Sequence, residues 1–582
     1  MESGLRKLAE HLEAMAEEAL SPRFYLSSLD PGVGKTTLLI HFIHRLLGSS
    51  RHDDVAILIC LSRLEEVRLF RDKLHDHRHT VAIHTSDVEL NHSTHVTPAE
   101  ARVLLTTQQM VEQTCRDRRF EEVGIFRYQG RPRAVRVWDE SLQPGSPVLL
   151  STDDLGALLG PCRRQDARLA DKIEALIEQL KNAPEGCLFK VPEVFGPGGG
   201  RMSEALDQVA REGSDTVPAA ADHLMFLAGR AVPVRRSNLG LTMLLDYRET
   251  LPDDLAPMVI LDASGRVRTS YGLWQQERGD LVRLKPVRKD YGNLRIRVWE
   301  RGGGKASFRR HGETLLQGIA RTMQKEAPEE DWLVVHHKNG LSGRFKEELL
   351  ARLPPEMHDR VGVLHWGDHH GTNRFAHVRN VILAGTMFLP EPVYEAQARL
   401  ACGMDPEETV TPDRLEEIRQ GEHAHAILQA LCRGSVRGLQ GDACAPCTAY
   451  IVASRASGIP QMLPGIFPGC HVETWSPIRR ELKGRVAEAV AHVDRVFRDD
   501  PEGVLLYSDL REALGLHDAS NFRRTVRHAA AFQAALEDMG LEETLVGSGN
   551  GRAGIRKATS VFTSDDDDDE FDPELDLATL TG

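Results

Sequence analysis

SSLDPGVGKTTLLIHFIHRLL (residues 27–47) is the stretch on which the fold turns. FYLSSL (24–29) has the composition of a short buried strand, and TTLLIHFIHRLL (36–47) reads as an apolar helix. Between them Gly32 and Gly34 let the backbone wrap around an anion with its amide N–H groups turned inward. The helix start adds unpaired N–H donors and the positive end of its dipole. Asp30, Pro31, Gly32, Val33, Gly34, Lys35, Thr36 and Thr37 are therefore read as a phosphate loop. Lys35 reaches the β- and γ-phosphates, and the Thr36 hydroxyl holds Mg²⁺. Leu29 stands where the G-x-x-x-x-G-K-[ST] pattern has its first glycine. An ordinary glycine turn is the competing reading, but strand, turn, lysine, hydroxyl and helix all agree on phosphate.

At 582 residues the chain is too long for one core, and a length prior gives roughly three or four domains. Its amino end is an amphipathic helix pattern with acids throughout, neither a signal nor a transit peptide. No run of about 18 apolar residues occurs, so no membrane span is expected. Nine scattered cysteines read as reduced thiols of a cytoplasm rather than a disulfide framework. Only CAPC (444–447) has ligand-like spacing, and it lacks a second pair nearby. The net charge is −14, but SDDDDDEFDPELD (564–576) holds nine acids and no base, and removing those nine leaves −5. Basic clusters at VRRS (234–237), RLKPVRK (283–289) and RRTVR (523–527) remain able to contact phosphates.

Strands at FYLSSL, VAILICLS (55–62), TVAIHTS (80–86), RVLLTTQQ (102–109) and VRVWDES (135–141) alternate with helical stretches. That alternation predicts a mostly parallel α/β sheet, with ligands at the carboxyl ends of its strands. Residues about 145–255 read as a helical insertion. MVILDAS (258–264) and IRVWER (296–301) are assigned to the first domain, 24–301, with the glycines of GGGK (302–305) as boundary or connector. A second α/β domain, 302–456, carries DWLVVHHK (331–338), VGVLHWG (361–367), VILAGT (381–386) and TAYIVAS (448–454). A helical unit follows over 457–560, then a disordered acidic tail over 561–582; residues 1–23 form the amino-terminal helix.

WDES (138–141) closes a strand about a hundred residues after the phosphate loop. Asp139 is placed to hold Mg²⁺ and Glu140 to orient or deprotonate the attacking water. Adjacent acids at a strand end are common on surfaces; their position after the loop is what gives these weight. In this order the chain resembles superfamily 2 helicases and translocases. GVGKTT is similar to motif I, DES to motif II, LICLSRLEEVRLFRDKL (58–74) to motif Ia, and VLLTTQQMV (103–111) to the segment before motif II. LDASGR (261–266) resembles motif III and WLVVHHK motif IV; HWGDHHGTNRFAHVRNVILAGT (365–386) resembles motif V and HAILQALCRGSVRG (425–438) motif VI.

The resemblance implies two tandem RecA-like P-loop domains with a helical insertion and a C-terminal helical, helix-turn-helix-like domain. It implies Mg-ATP clamped between them and hydrolysis driving motion along nucleic acid, with DNA favoured, single strand or duplex. In motif VI, Gln429, Arg433 and Arg437 lie at a spacing that places both arginines on one helical face, aimed at the γ-phosphate. Thr107, Ser264, Thr372 and Asn373 are implied in coupling or strand contact. A remodeller that hydrolyses ATP without unwinding, and a scaffold switched by ATP, stay open beside the motor.

YSDLREALGLHDASNFRRTVRHAAAFQAALEDMGL (507–541) resembles a helix-turn-helix, with Arg523, Arg524 and Arg527 lining an exposed face; a charged accessory domain is the plainer alternative. The acidic tail could occupy a basic groove or recruit a protein partner, and solubility is its default role. His84, His336, His337, His365, His369 and His370 read as core or solvated histidines.

Overall fold

The computed structural model describes residues 2–116, 118–214, 216–236, 241–338, 341, 343–367, 374–478, 482–500, 503–539, 541–546 and 552–557. Thr372, Asn373 and the acidic tail lie outside the described residues.

Two parallel sheets organise the chain as tandem RecA-like lobes. In the first the spatial order is Leu281–Arg283, Phe24–Leu26, Met258–Leu261, Val135–Asp139, Ile57–Leu61, Val103–Thr107 and Val81–His84. Central strands such as Ile57–Leu61 are buried along their whole length. A sheet covered on both faces needs such continuous apolar runs. One face carries the amino-terminal helix Glu2–Ala16 and the helix Lys35–Leu47, through Leu8, Leu12, Leu39 and Ile43. The other carries Val111, Phe120, Tyr271 and Trp274.

The second sheet runs Val361–His365, Trp332–His336, Asn380–Ala384, Cys447–Val452, Leu294–Trp299 and His471–Thr474, again all parallel. The strand Leu294–Trp299, assigned above to the first domain, thus belongs to the second; so does His471–Thr474, beyond residue 456. Both pair with second-lobe strands, which moves the crossover to the segment 284–293.

The insertion leaves after Asp139 and returns at Met258. Besides its helices Thr152–Gln165, Ala167–Asn182, Arg201–Glu212 and Val217–Leu227, it holds an antiparallel sheet of four strands: Gly145–Ser151, Thr242–Glu249, Ala231–Arg236 and Leu188–Lys190. Its core is its own, built on Leu155, Leu158, Ile173, Leu180 and Leu224. It leans on the second lobe where Leu149 and Leu245 meet the helix Glu391–Cys402 and Arg235 grips Glu395 with two hydrogen bonds of 2.6 and 2.7 Å.

The C-terminal unit packs the helices Gly484–Asp499, Tyr507–Ala513 and Ala530–Asp538 around Leu510, Phe522, Val526 and Phe532. It also has an antiparallel sheet, in the order Val504–Leu506, Arg552–Lys557, Leu541–Val546. A hairpin after a helix-turn-helix gives it a winged form. Among the described residues no helix is long and apolar enough to cross a membrane.

Candidate nucleotide cleft between the lobes

The loop after Phe24–Leu26 turns at Gly32 (φ 82°) and Gly34 (φ 98°), backbone conformations that favour glycine. At Gly32 a Cβ would also run into the Arg437 carbonyl of the second lobe. Leu29 lies in the core beside Leu8, which accounts for the missing first glycine: its side chain fills the interior rather than the loop. The Lys35 amine donates to the Leu29 carbonyl at 2.6 Å. Thr36 is half-buried and Thr37 exposed in the first helical turn. Asp30 is fully buried. Its carboxylate accepts from Arg266 Nε and from the Lys289 backbone N–H, both at 2.8 Å. The Lys289 amine donates to the carbonyls of Pro31, Val436 and Arg437 at 2.8, 2.9 and 3.0 Å, so one buried cation ties the phosphate loop to the arginine loop.

Asp139 ends its strand almost fully buried, and Gln108 Nε2 donates to its carbonyl at 2.5 Å. Glu140 follows at φ 81°. A non-glycine residue held in the left-handed region is strained, and such strain gathers at functional sites. Burial, then Glu66 and Glu140, push the Asp139 carboxyl well above the usual carboxylate range, against the pull of Lys35 and Arg437. Burial likewise lowers Lys35, although Glu140, Asp139 and Asp262 oppose it.

Glu66 was not anticipated. Its carboxylate accepts from the Ser62 N–H and hydroxyl at 3.2 and 3.0 Å, and burial and Glu140 raise its pKa. The available signal was sheet order: Cys60 pairs with Trp138, so the segment after Leu61 emerges beside Asp139.

From the second lobe comes the helix Pro412–Leu431. It ends at Leu431, and an extended Gly434 and the short turn Ser435–Arg437 follow, so Arg433 and Arg437 do not share one helical face as expected. Both nevertheless reach the cleft. Gln429 donates to Glu140 across the lobes at 3.3 Å, and its carbonyl accepts from Arg433 at 2.8 Å. Burial lowers the Arg433 pKa against the opposing charges of Glu140 and Glu66, and Arg437 acts on both Lys35 and Asp139. Nearby, the buried Ser264 hydroxyl meets His425 Nδ1 at 2.6 Å while the Asp262 carboxylate accepts from Ser264 N–H. Arg268 and Glu422 form a buried two-bond pair between the lobes.

The expected strand contacts are less uniform. Thr107 caps the helix Gln108–Thr114, and Ser264, fully buried, faces the other lobe instead of solvent. Arg63 donates to the Gly367 carbonyl at 3.2 Å, linking the 58–74 segment to the second lobe. In the C-terminal unit Arg523 and Arg524 are exposed. Arg527 is not part of that face: it turns inward to Glu543 with bonds of 3.1 and 2.7 Å, over the Tyr507 ring.

The cleft suits a magnesium-bound triphosphate. The Thr36 hydroxyl and the Asp139 carboxylate are hard oxygen donors of the kind Mg²⁺ takes, and the charges of Glu66 and Glu140 acting on Asp139 are ones a cation beside it would offset. The glycine loop, Lys35 and the helix start supply the phosphate side. CAPC has a different character, since Cys444 and Cys447 are buried and burial pushes the Cys447 thiol up to about 12. Among the described residues no three His, Cys, Asp or Glu side chains group as metal ligands.

No protein-family model matches the chain, and no curated protein does. Among solved structures it is similar to S. tokodaii Xpd4, at 11% identity over 80% of this chain and 99% of that one, TM-score 0.45. It is similar to S. cerevisiae Dbp5 bound to RNA and ADP BeF3, at 10% identity over 85% and 93%, TM-score 0.35. A third is the Mycobacterium smegmatis helicase Lhr bound to ssDNA and AMP-PNP, at 12% identity over 94% of this chain and 58% of that one, TM-score 0.32. Likenesses of this size concern the path of the chain and say nothing of its chemistry.

Proposed function

We propose that the protein is an ATP-dependent nucleic-acid helicase or translocase acting on DNA in the cytoplasm. The observation that carries this is Gln429, which bridges Glu140 of one lobe to Arg433 of the other. A hydrolytic acid and a cation answering to γ-phosphate charge are thereby joined through a single amide, so turnover depends on the lobes being together. Glu140 takes or orients the proton of the attacking water, Gln429 fixes that carboxylate, and Arg433 and Arg437 stabilise the charge that develops. Lys35 leaves the Leu29 carbonyl to bind phosphate. Thr36 and Asp139 would hold Mg²⁺, which would neutralise charge on the phosphate oxygens. Closing and opening of the lobes then becomes motion along a strand. The exposed Arg523 and Arg524 on a winged helix-turn-helix favour DNA as the track.

The test is ATP turnover measured with single-stranded DNA, duplex DNA and RNA side by side, with Lys35→Ala as control. DNA is expected to stimulate the wild type, and Lys35→Ala to be inactive. Full turnover in Lys35→Ala would remove the site assignment, and indifference to every nucleic acid would favour an ATP-switched scaffold. Strand displacement measured beside translocation separates a helicase from a remodeller.

A further inference from the structure

RLKPVRK (283–289) divides as the chain folds. Lys289 goes inside, whereas Arg283, Lys285 and Arg288 stay exposed along the edge strand Leu281–Arg283 and the crossover. Among the described residues none of these three cations forms an ion pair. Arg283 donates to the Gly265 carbonyl at 3.2 Å. The acids close by in the chain are engaged elsewhere: Glu277 with Arg414 at 2.8 Å, Asp280 with the Trp274 indole at 2.6 Å and Asp290 with the Gly292 N–H at 2.9 Å. Beside the cations lies a depression of about 160 Å³, lined by Ser28, Gln275, Arg283, Leu284, Lys285 and Pro286. Pockets that enclose a small-molecule ligand run to roughly 300–1,000 Å³. This one suits a single side chain with charged neighbours.

The chain itself holds a segment of that chemistry. SDDDDDEFDPELD (564–576) has nine acids and no base, with Phe571 set between Glu570 and Asp572. It also starts from the right place. The C-terminal unit is fixed to the second lobe by Arg455 and Asp494 at 3.6 Å and by Arg301 and Asp538 at 4.0 Å. Its last strand, Arg552–Lys557, ends beside the helix Pro412–Leu431. There burial raises the Glu416 carboxyl, but bonds from Arg419 and Gln420 and the charges of Arg419 and Lys557 prevail and hold it down. Two residues away on that helix, Arg414 grips Glu277, which shares the helical turn Trp274–Arg278 with Gln275 of the depression. Thirteen residues, 558–570, separate Lys557 from Phe571. At about 3.3–3.6 Å each they reach up to about 45 Å, ample for a path of one helix width and a few side chains.

We infer that the acidic tail docks in cis on the crossover, with Phe571 entering the depression beside Leu284 and Pro286 and the flanking acids meeting Arg283, Lys285 and Arg288. Opposite charges on the two sides bring them together, and an aromatic anchor in an apolar-rimmed opening fixes the register. The C-terminal unit is then tied to the first lobe as well as to the second, across the segment that joins them. Docking of this kind needs charge, reach and a side-chain-sized opening, and is independent of any nucleic-acid partner.

The experiment uses the full chain in three forms: wild type, a form with the nine tail acids changed to Asn or Gln, and that neutralised form carrying Lys285→Ala/Arg288→Ala. Fluorescence anisotropy follows a labelled peptide of residues 561–582. A short flexible tether gives an effective concentration of order millimolar, so for a peptide Kd of about 0.1 mM the wild type's own tail should weaken peptide binding about tenfold relative to the neutralised chain. Lys285→Ala/Arg288→Ala should weaken peptide binding to the neutralised chain about tenfold, and Phe571→Ala in the peptide several-fold. Carbodiimide coupling should join Lys285 to a tail acid within one wild-type chain at low protein concentration. Equal peptide binding by the wild-type and neutralised chains, or a cross-link formed only between chains, would overturn docking in cis. Peptide binding that ignores Lys285→Ala/Arg288→Ala and is lost in Arg523→Ala/Arg524→Ala would place the tail on the winged unit instead. An oligonucleotide that binds the neutralised chain through Lys285 and Arg288, where the peptide does not, would give the face to nucleic acid and remove the tail from it.

Discussion

Glu422→Ala tests how the lobes are held. The Arg268 side chain is fully buried and that of Glu422 is 4% exposed, and the pair is joined by hydrogen bonds of 2.6 and 2.8 Å. Arg268 also reaches the Ser141 hydroxyl beside motif II, so the pair anchors the Asp139–Ser141 turn to the helix that carries Gln429. Removing the carboxylate takes two charged hydrogen bonds from a buried guanidinium and leaves Asp262 among the charges that favour it, a change that costs up to about 3–5 kcal/mol. At 1.4 kcal/mol per tenfold, the docking equilibrium between the lobes falls by up to about two to three and a half orders of magnitude. Each lobe has its own core, so the loss should appear as separation of the unfolding transitions and as new protease cleavage between residues 284 and 293, with each lobe still folded. ATP turnover should fall with it, because Gln429 leaves Glu140. In Arg268→Met/Glu422→Leu no charge is stranded, and docking should return to within about 1 kcal/mol of the wild type. Glu422→Ala costing under about 1 kcal/mol, or the double variant faring no better than the single, would refute this account.

Gly32→Ala should abolish ATP turnover with little change in the melting of either lobe; left-handed strain costs about 1–2 kcal/mol, and the new Cβ pushes the Arg437 carbonyl away. Near wild-type activity would show that the contact opens freely. Burial holds His336 and His337 down at about 4, so between the unfolded value of about 6.5 and that point only the unfolded chain takes up protons. The contribution these histidines make to second-lobe stability is therefore fully present above about pH 6.5 and lost as pH falls toward 4. Urea midpoints across that range should show this, with a shallower slope in His337→Gln. At Glu543 burial acts upward, but bonds from Arg527, Tyr507 and Gln533 prevail and hold the carboxyl down to about 2, from 4.5. That stability is present above about pH 4.5 and lost as pH falls toward 2. Arg527→Gln should erase it in acid melts and leave oligonucleotide affinity unchanged, whereas Arg523→Ala/Arg524→Ala should lower affinity and leave the acid melt alone.

The features legible in the sequence are those whose physics is local. The glycine turn between Phe24–Leu26 and the helix Lys35–Leu47 declares itself because strand end, glycines, lysine and helix start adjoin. Central strands such as Ile57–Leu61 declare themselves because burial on both faces demands an apolar run. The edge strands Leu281–Arg283 and His471–Thr474 escape because they are short and the second is exposed throughout, which leaves them no such run. The end of the motif VI helix escapes as well. Spacing alone does not reveal that Gly434 takes an extended conformation, nor that loop geometry delivers Arg433 and Arg437 to the cleft. Glu66, Lys289 and the Arg527–Glu543 pair are made by elements far apart in the chain, and each needs the sheet order or the C-terminal hairpin before it means anything.

Lys289 shows what that distance conceals. It sits in the crossover between the lobes, in a basic stretch that reads from the sequence as able to contact phosphates, yet it is 2% exposed. Burial lowers its pKa, with Asp30 among the charges opposing the shift, and its amine is spent on carbonyls from both sides of the cleft. Asp30 in turn takes the Lys289 backbone and Arg266, and Arg266 reaches the Ile466 carbonyl in the second lobe. The phosphate loop is thus gripped from behind by a crossover residue and a motif III residue, both of which also hold the second lobe. A displacement of Pro31 or Arg437 therefore reaches the other lobe through hydrogen bonds already in place. On the proposed function, coupling between nucleotide and lobe position would then belong to the backbone of the cleft itself, and the side chains proposed to carry the chemistry would inherit it.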